Sequence, residues 1–385
     1  MVEAEVSMRL PYSDELNIGY LSRLFDDTTN CYKFFWFQAI LRKVAKNHRQ
    51  FSFSELIDEM IIDAWYMVTE YHLRLGPLNI TDNLEEVVKY IFAQYGFLSS
   101  EKSSTIRDFL KSTDDKKIKK YKDDLTLQVP YRLQAPFFDE IIVTKQHWSG
   151  SRKTLSDVIN RQRRLMYYFL FSAGLGTIIE IDEVWAEYLS KHREILKSWT
   201  QLKLIQYLQK RNPSVPGIAD KIEAPTARDI DRVRHYWKLI IKMDPSLHDI
   251  YGDNDLSDKA ISIDHFVPWQ YVAHDELWNL HPTTRQINSS KSNSLPMWSV
   301  YFQSLATMEY RAYELRLLYD EVEDEFQKIA PYHLNNLEIR NQLYAPGIDE
   351  DTFRERLSNV IEPVYESAKN QGFKEWIYNE SNNLQ

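Results

Sequence analysis

Residues 261–296 contain carboxylate, amide, imidazole and cationic side chains at spacings that could let them act together in a chemical site. Asp264 and His265 close a short run in which apolar residues alternate, and such a run predicts a β-strand. Asn279 lies in a second short apolar run, and Asn288 lies in the polar segment that follows. Threonines before that segment could cap a helix. The stretch therefore predicts a strand, a long loop, a second strand and a helix.

The residue types in this stretch suit a divalent cation and a general base. Asp264 and Asn288 both offer oxygen atoms, and oxygen ligands without a thiolate suit Mg²⁺ or Mn²⁺ with water in the remaining positions. His265 follows Asp264 directly, so on a strand it points to the opposite face. It is therefore better placed to take a proton from water than to share the ion.

The helix after the second run could also contact an anion. Arg285, Asn288 and Lys291 recur every three residues, and this spacing puts them on one helical face. An ion ligand flanked by two cations favours an anionic substrate such as a phosphodiester. With a metal and a base, this pattern indicates hydrolysis of a nucleic-acid backbone.

The full run resembles the motif of the HNH (ββα-metal) nucleases, in the branch that includes the HNH domain of the RNA-guided CRISPR effector nucleases. The pattern of that branch is Asp-His-apolar-Val/Ile-Pro, then Asn, then Asn-x-x-Lys-Ser, and finally Pro. This chain matches it at residues 264–268, Asn279, residues 288–292 and Pro296. The resemblance covers a small part of the chain, and no guide-RNA machinery is recognisable in the rest.

The resemblance implies a role for each motif residue. Asp264 and Asn288 would bind one divalent ion, Mg²⁺ or Mn²⁺, and His265 would activate the attacking water. Asn279 would brace the loop so that the imidazole faces the water. Lys291 would lie near the substrate phosphate, and we assign Arg285, on the same helical face, to that phosphate as well. The expected fold is mainly α, with a small ββα-metal module embedded between helical segments.

Two further histidines in this stretch have simpler explanations. We expect His281, which precedes a proline, to satisfy a strand end, and we expect His274 to be solvated. A zinc site is disfavoured because the chain has one cysteine, Cys31, and no paired ligand spacing.

Composition indicates a globular protein of several domains. The 385 residues are 43% hydrophobic and 27% charged, which is a typical globular balance. A single cysteine excludes an internal disulfide and fits a reducing compartment. Residues 1–5 are acidic rather than basic, and no apolar run reaches membrane-spanning length, so we expect a cytoplasmic protein without a membrane partner. The net charge of −9 still permits a local basic cleft.

Apolar periodicity divides the chain into four expected parts. Strong helical patterns cover residues 53–75 and 83–95, and a hairpin pairs 167–171 with 177–181. A long helix follows over 182–209 with a break near His192, and residues 244–258 form a linker. The expected parts are an N-terminal helical domain (1–125), a mixed helical and hairpin domain with the linker (126–258), the nuclease core (259–297) and a C-terminal helical segment on that core (298–385).

A basic stretch before the hairpin is a second candidate for nucleic-acid binding. Asp157 is its only acid between residues 145 and 164, and neutralising phosphates requires such a cluster of cations. Its cations are Lys145, Arg152, Lys153, Arg161, Arg163 and Arg164.

The sequence therefore favours an endonuclease that cuts double- or single-stranded DNA. Two alternatives remain open: a non-catalytic nucleic-acid-binding scaffold subunit, and an RNA-cleaving toxin, because no motif here reads the 2′-hydroxyl. The resemblance suggests bacterial antiphage defence or restriction, where a partner protein would trigger or target the enzyme. The helical body could also mediate a homodimer.

Overall fold

The computed structural model describes residues 9–45, 47–138, 152–162, 165–171, 173–222, 230–252 and 254–379. The chain folds as two compact units. The first comprises Met1–Pro213 with Ile222–Ala224, and the second comprises Ser214–Lys221 with Pro225–Gln385. No helix within the described ranges is long and apolar enough to cross a membrane.

The first unit is mostly helical. Its helices are α1 (Ile18–Ser22), α2 (Tyr32–Lys43), α3 (Phe53–Thr69), α4 (Asn83–Tyr95), α5 (Ser103–Ser112), α6 (Lys116–Leu125), α7 (Val129–Arg132), α8 (Arg152–Asn160), α9 (Glu183–Lys191) and α10 (Arg193–Arg211). The prediction for α4 is confirmed residue for residue, and the break at His192 separates α9 from α10. Helix α3 ends before its predicted limit because His72 adopts a φ of 52°, which no α-helix contains.

The core of the first unit forms where α2 packs on α3 and α10. Helix α2 is apolar almost all round, and Phe35, Trp36 and Phe37 are fully buried. Helix α3 begins with a capping box in which Ser52 and Glu55 satisfy each other's backbone groups. These aromatic side chains therefore form the core of the first unit and are not exposed to stack on a nucleobase.

The predicted hairpin of the first unit is confirmed, with a third strand added. Strands β2 (Tyr167–Phe171) and β3 (Ile178–Ile181) pair antiparallel. Strand β1 (Gln50–Ser52) pairs with the other edge of β3, giving the order β1-β3-β2. Sequence periodicity missed β1 because three residues are too few to show alternation.

The second unit surrounds the candidate motif with helices. Its helices are α11 (Asp231–Met243), α12 (Trp269–Val272), α13 (Arg285–Lys291), α14 (Trp298–Leu318), α15 (Asp320–His333), α16 (Leu337–Tyr344) and α17 (Glu350–Gln371). Its strands are β4 (Ser262–His265), β5 (Leu280–Thr283), β6 (Leu295–Pro296) and β7 (Glu375–Trp376). Strands β4 and β5 pair antiparallel, and β6 and β7 pair parallel.

One hydrophobic core joins the parts of the second unit. Trp237 of α11, Leu280 of β5, Phe326 of α15 and Tyr365 of α17 all belong to it. The contact pattern therefore groups residues differently from the four expected parts, because helices before and after residues 259–297 share a core with them.

The segment expected to be a linker is ordered and carries buried side chains. His248 and Asp255 form an isolated β-bridge. Between them, Asp249 and Tyr251 are 3% and 6% exposed. The linker interpretation of residues 244–258 is wrong, because the abundance of aspartate and glycine that suggested it belongs to turns that return Tyr251 to the core.

Candidate functional site

The motif forms a two-stranded hairpin followed by a short helix. The register of β4 and β5 pairs Asp264 with His281 and His265 with Leu280. Because alternate residues of a strand face opposite sides, Asp264 and His281 lie on one face and His265 lies on the other. Thr284 caps α13 by accepting a hydrogen bond from the Ile287 backbone. The predicted order of strand, loop, strand and helix is observed.

Asn279 holds the loop between the two strands. Its Nδ2 donates to the Val267 carbonyl at 2.9 Å, and its Oδ1 accepts from the Val267 backbone N–H at 2.7 Å. The Asn279 carbonyl also accepts from the Phe266 backbone N–H at 3.0 Å. The fully buried Asn279 thus fixes Val267 with its side-chain amide and Phe266 with its backbone carbonyl.

Asp264 is buried in a small polar network. The Tyr251 hydroxyl donates to Oδ2 at 2.7 Å, and the Lys291 ammonium lies 3.1 Å from the carboxylate. Burial, and then the Asp264 charge, hold the pKa of Tyr251 well above its ordinary value, so this hydroxyl stays protonated and donates. The two donors fix the orientation of the carboxylate.

Lys291 lies inside the protein. It is 1% exposed, and besides Asp264 it donates to the His265 backbone carbonyl at 2.7 Å. Burial lowers the pKa of Lys291, and the Asp264 charge acts in the opposite direction. The expectation that Lys291 faces a substrate phosphate is not met in this structure, because the last turn of α13 packs against β4.

Asn288 also contacts the strand that carries Asp264. Its Nδ2 donates to the Ser262 hydroxyl at 2.7 Å and to the Ile263 carbonyl at 3.2 Å. The two expected oxygen ligands thus lie on neighbouring elements, with Asn288 bound to the residue before Asp264. Arg285, one turn earlier in α13, is exposed.

His265 pairs with an acid that the motif does not include. Its Nε2 lies 2.8 Å from Asp275 Oδ1, and the imidazole is 6% exposed. The Asp275 backbone carbonyl in turn lies 2.6 Å from Nδ1 of His333 on α15. The one sequence signal for Asp275 was an acid in the loop between His265 and Asn279.

His281 is the least expected member of the site. It is fully buried, and burial lowers its pKa to about 3, so the ring is neutral. Within the described part of the chain, neither ring nitrogen has a hydrogen-bond partner, so the histidine satisfies no strand end there. Its Nε2 lies 3.7 Å from Asp264 Oδ2, which is too long for a hydrogen bond. His274 is half-buried beside Trp278 rather than solvated.

The donors around Asp264 fit a divalent ion in their chemistry. Within the described ranges, no group of three or more His, Cys, Asp and Glu residues is arranged to hold a metal. The donors here are one carboxylate, the Asn288 amide and the His281 imidazole, whose buried nitrogens have no hydrogen-bond partner in the ranges given above. The Lys291 ammonium already neutralises the carboxylate, so an arriving cation meets a charge-balanced site.

The second basic stretch is only partly described. Arg161 is exposed at the end of α8 in the first unit. Lys145, Arg163 and Arg164 lie outside the described residues, and so do the side chains of Arg152 and Lys153. A nucleic-acid contact there stays a prediction.

Comparison with known proteins supports a family for the motif segment. Residues 248–297 match the family model described as HNH endonuclease. HNH endonucleases are nucleases that cut nucleic acid and generally use a divalent metal ion. The match begins before Tyr251, which agrees with the contact between Tyr251 and Asp264. No curated protein and no solved structure matches the chain.

Proposed function

We propose that this protein is a divalent-metal-dependent HNH endonuclease that hydrolyses DNA phosphodiester bonds. The observation that carries the proposal is the 2.8 Å contact between His265 and Asp275. His265 ends strand β4, and Asp264 comes directly before it. A histidine held by a carboxylate, beside a possible metal ligand, is the arrangement that a hydrolase needs to activate water.

His265 is the general base in this proposal. An ionised carboxylate can only accept a hydrogen bond, so Nε2 of His265 donates its proton to Asp275 and the neutral ring keeps its lone pair on Nδ1. When the ring takes a proton from water, the Asp275 charge stabilises the imidazolium. Asn279 positions His265 indirectly by fixing the loop at Val267.

Asp264 and Asn288 would hold the divalent ion. When bound, the ion would supply positive charge to stabilise the negative charge that develops on the phosphate oxygens. The Tyr251 hydroxyl and the Lys291 ammonium orient the Asp264 carboxylate. Arg285 is exposed on α13 and would contact a substrate phosphate.

The biological setting follows from the resemblance alone. HNH proteins that resemble this chain suggest antiphage defence or restriction in bacteria. We place this protein in that setting, with a partner protein that triggers or targets it.

The decisive experiment compares wild type with His265→Ala on plasmid and single-stranded DNA in Mg²⁺ or Mn²⁺. We expect the variant to fold normally and to cut at least about 100-fold more slowly, since losing a general base costs about 10²–10⁴-fold. His235→Ala, at an exposed histidine of α11, is the matched control and should cut like wild type. A chelator should abolish cleavage by wild type.

Two outcomes would contradict the proposal. Cleavage at the wild-type rate by His265→Ala would exclude His265 as the general base. Cleavage in excess chelator would exclude a role for the metal ion. DNA retention without cleavage in either ion would favour the scaffold alternative. A matched RNA and DNA pair, assayed together, decides the substrate.

A further inference from the structure

The His281 side chain poses an energetic problem that the proposed roles do not solve. Burying a polar group without a hydrogen bond destabilises the folded state. His281 is fully buried, and neither of its ring nitrogens has a hydrogen-bond partner among the described residues. An apolar residue of similar size would avoid this cost, so an unpaired imidazole here calls for an explanation.

The position of the ring supplies one. The β4–β5 register places His281 directly across from Asp264, and Nε2 lies 3.7 Å from Asp264 Oδ2. Nitrogen and oxygen ligands each lie about 2.0–2.2 Å from a divalent ion, so two ligands of one ion are separated by about 3–4 Å. The separation is too long for a hydrogen bond but suits two ligands of one ion.

The other neighbours of the ring do not compete for its nitrogens. The Tyr251 ring packs edge-on against the His281 ring, with the ring centroids 5.3 Å apart. The Tyr251 hydroxyl donates to Asp264 and not to His281. The Phe266 ring lies 6.3 Å away. The Lys291 ammonium donates to Asp264 and to the His265 carbonyl. The imidazole is thus held in place by packing while its nitrogens stay available.

We propose that His281 is a third protein ligand of the divalent ion that Asp264 and Asn288 would hold. The inference rests on the proposed metal-dependent function and adds a nitrogen donor to its two oxygen donors. Imidazole binds later first-row transition ions more strongly than it binds Mg²⁺, which prefers oxygen. The site should therefore prefer Co²⁺ to Mg²⁺.

The test measures metal binding, independently of cleavage, on the full chain without a histidine tag. Calorimetric titrations with Co²⁺ and with Mg²⁺ compare wild type, His281→Leu, Asp264→Asn and His235→Gln. We expect wild type to bind Co²⁺ at least about tenfold more tightly than Mg²⁺. His281→Leu should lose at least about tenfold in Co²⁺ affinity and much less in Mg²⁺ affinity. His235→Gln controls for binding by a surface histidine.

A second measurement does not depend on a variant. Pulsed electron paramagnetic resonance of Mn²⁺ bound to wild type should detect coupling to an imidazole nitrogen. The absence of that coupling would overturn the inference even if His281→Leu fails to fold. Unchanged Co²⁺ affinity in folded His281→Leu would also overturn it.

The two levels of the proposal fail differently. If wild type binds neither ion, or if Asp264→Asn binds both as well as wild type does, the proposed metal site falls and the role of His281 falls with it. If Asp264→Asn loses binding but His281→Leu does not, only the third ligand is refuted and the proposed nuclease stands.

Discussion

The contact between His265 and Asp275 determines the orientation of the proposed base. A carboxylate that accepts from Nε2 at 2.8 Å fixes the tautomer and the plane of the ring. It would also stabilise the positive charge that forms when the ring takes a proton from water. Asp275 thus acts through His265 and is a positioning residue.

Replacing Asp275 tests this relation. In Asp275→Asn the amide no longer stabilises the imidazolium, so we expect cleavage at least about tenfold slower. The effect should fall on kcat rather than on KM, because Asp275 acts on the base and not on the substrate. Glu276→Gln is the matched control, since this neighbouring acid accepts hydrogen bonds from Asn335 instead. An unchanged kcat in Asp275→Asn would contradict the role.

His281 predicts how stability changes with pH. Its folded-state pKa of about 3 lies below the unfolded value of about 6.5, so on acidification the unfolded chain takes up a proton that the folded chain refuses. This contribution is complete above pH 6.5 and declines as pH falls towards 3. By pH 5 the loss is about 2 kcal/mol. Urea unfolding between pH 8 and pH 5 should show a shallower decline in His281→Leu, and equal slopes would contradict the assignment.

At this scale, the sequence predicted residues but not their partners. Asp264, His265, Asn279 and Asn288 could be proposed from the sequence because their spacing along the chain is itself the signal. The partners Asp275 and Tyr251 carry no such pattern, because tertiary packing alone brings them to the motif. The same limit concealed the buried and unpaired state of His281.

At the level of elements, the loop that joins β4 to β5 depends on a single amide. Asn279→Ala leaves both polar backbone groups of Val267 without their partner. Each unsatisfied buried group costs about 1–3 kcal/mol, so we expect about 2–4 kcal/mol of lost stability in the second unit. Asn279→Asp keeps the acceptor but places a buried carboxylate oxygen against the Val267 carbonyl, so it should be at least as unstable as Asn279→Ala. Urea denaturation measures both, and wild-type stability in Asn279→Ala would refute the bracing role.

Helix α13 shows why its facing residues could not be assigned from spacing. Arg285, Asn288 and Lys291 share a helical face, as the spacing of three predicts. However, the helix has only seven residues, and Arg285 at its start is exposed while Lys291 at its end is buried against β4. Position along this short helix therefore decides which side chain is exposed. Arg285 is exposed to solvent, whereas Lys291 binds Asp264.

At the level of the whole molecule, helices were predictable one by one, but their grouping was not. The limits of α4 followed from local apolar spacing and turn residues. Strand β1 pairs with a strand more than a hundred residues away, and β6 pairs with β7 near the end of the described chain. Such long-range pairs leave no periodic trace, so the division into two units became visible only in the fold.

The first unit contains a buried ionic contact whose loss should be measurable. Glu59 on α3 is 3% exposed and accepts hydrogen bonds from Arg42 and from Arg107. Burial alone would raise the pKa of Glu59, but the bonds from these arginines outweigh it and the pKa is lowered. We expect Glu59→Gln to destabilise the first unit by about 2 kcal/mol.

Hydrogen exchange of the α3 amides measures this effect, with Glu194→Gln at an exposed position of α10 as the control. Equal protection in both variants would show that the arginine contacts contribute nothing.

The ion pair of Lys291 and Asp264 predicts how stable the protein is without the proposed metal ion. An unpaired carboxylate is costly in a protein interior, but the Lys291 ammonium already pairs with Asp264 when no metal is bound. Chelator-treated protein should keep the melting temperature of protein that was never given metal. It should regain full cleavage once the ion is restored. Low concentrations of the ion would then stop cleavage while the chain stays folded and resistant to proteolysis.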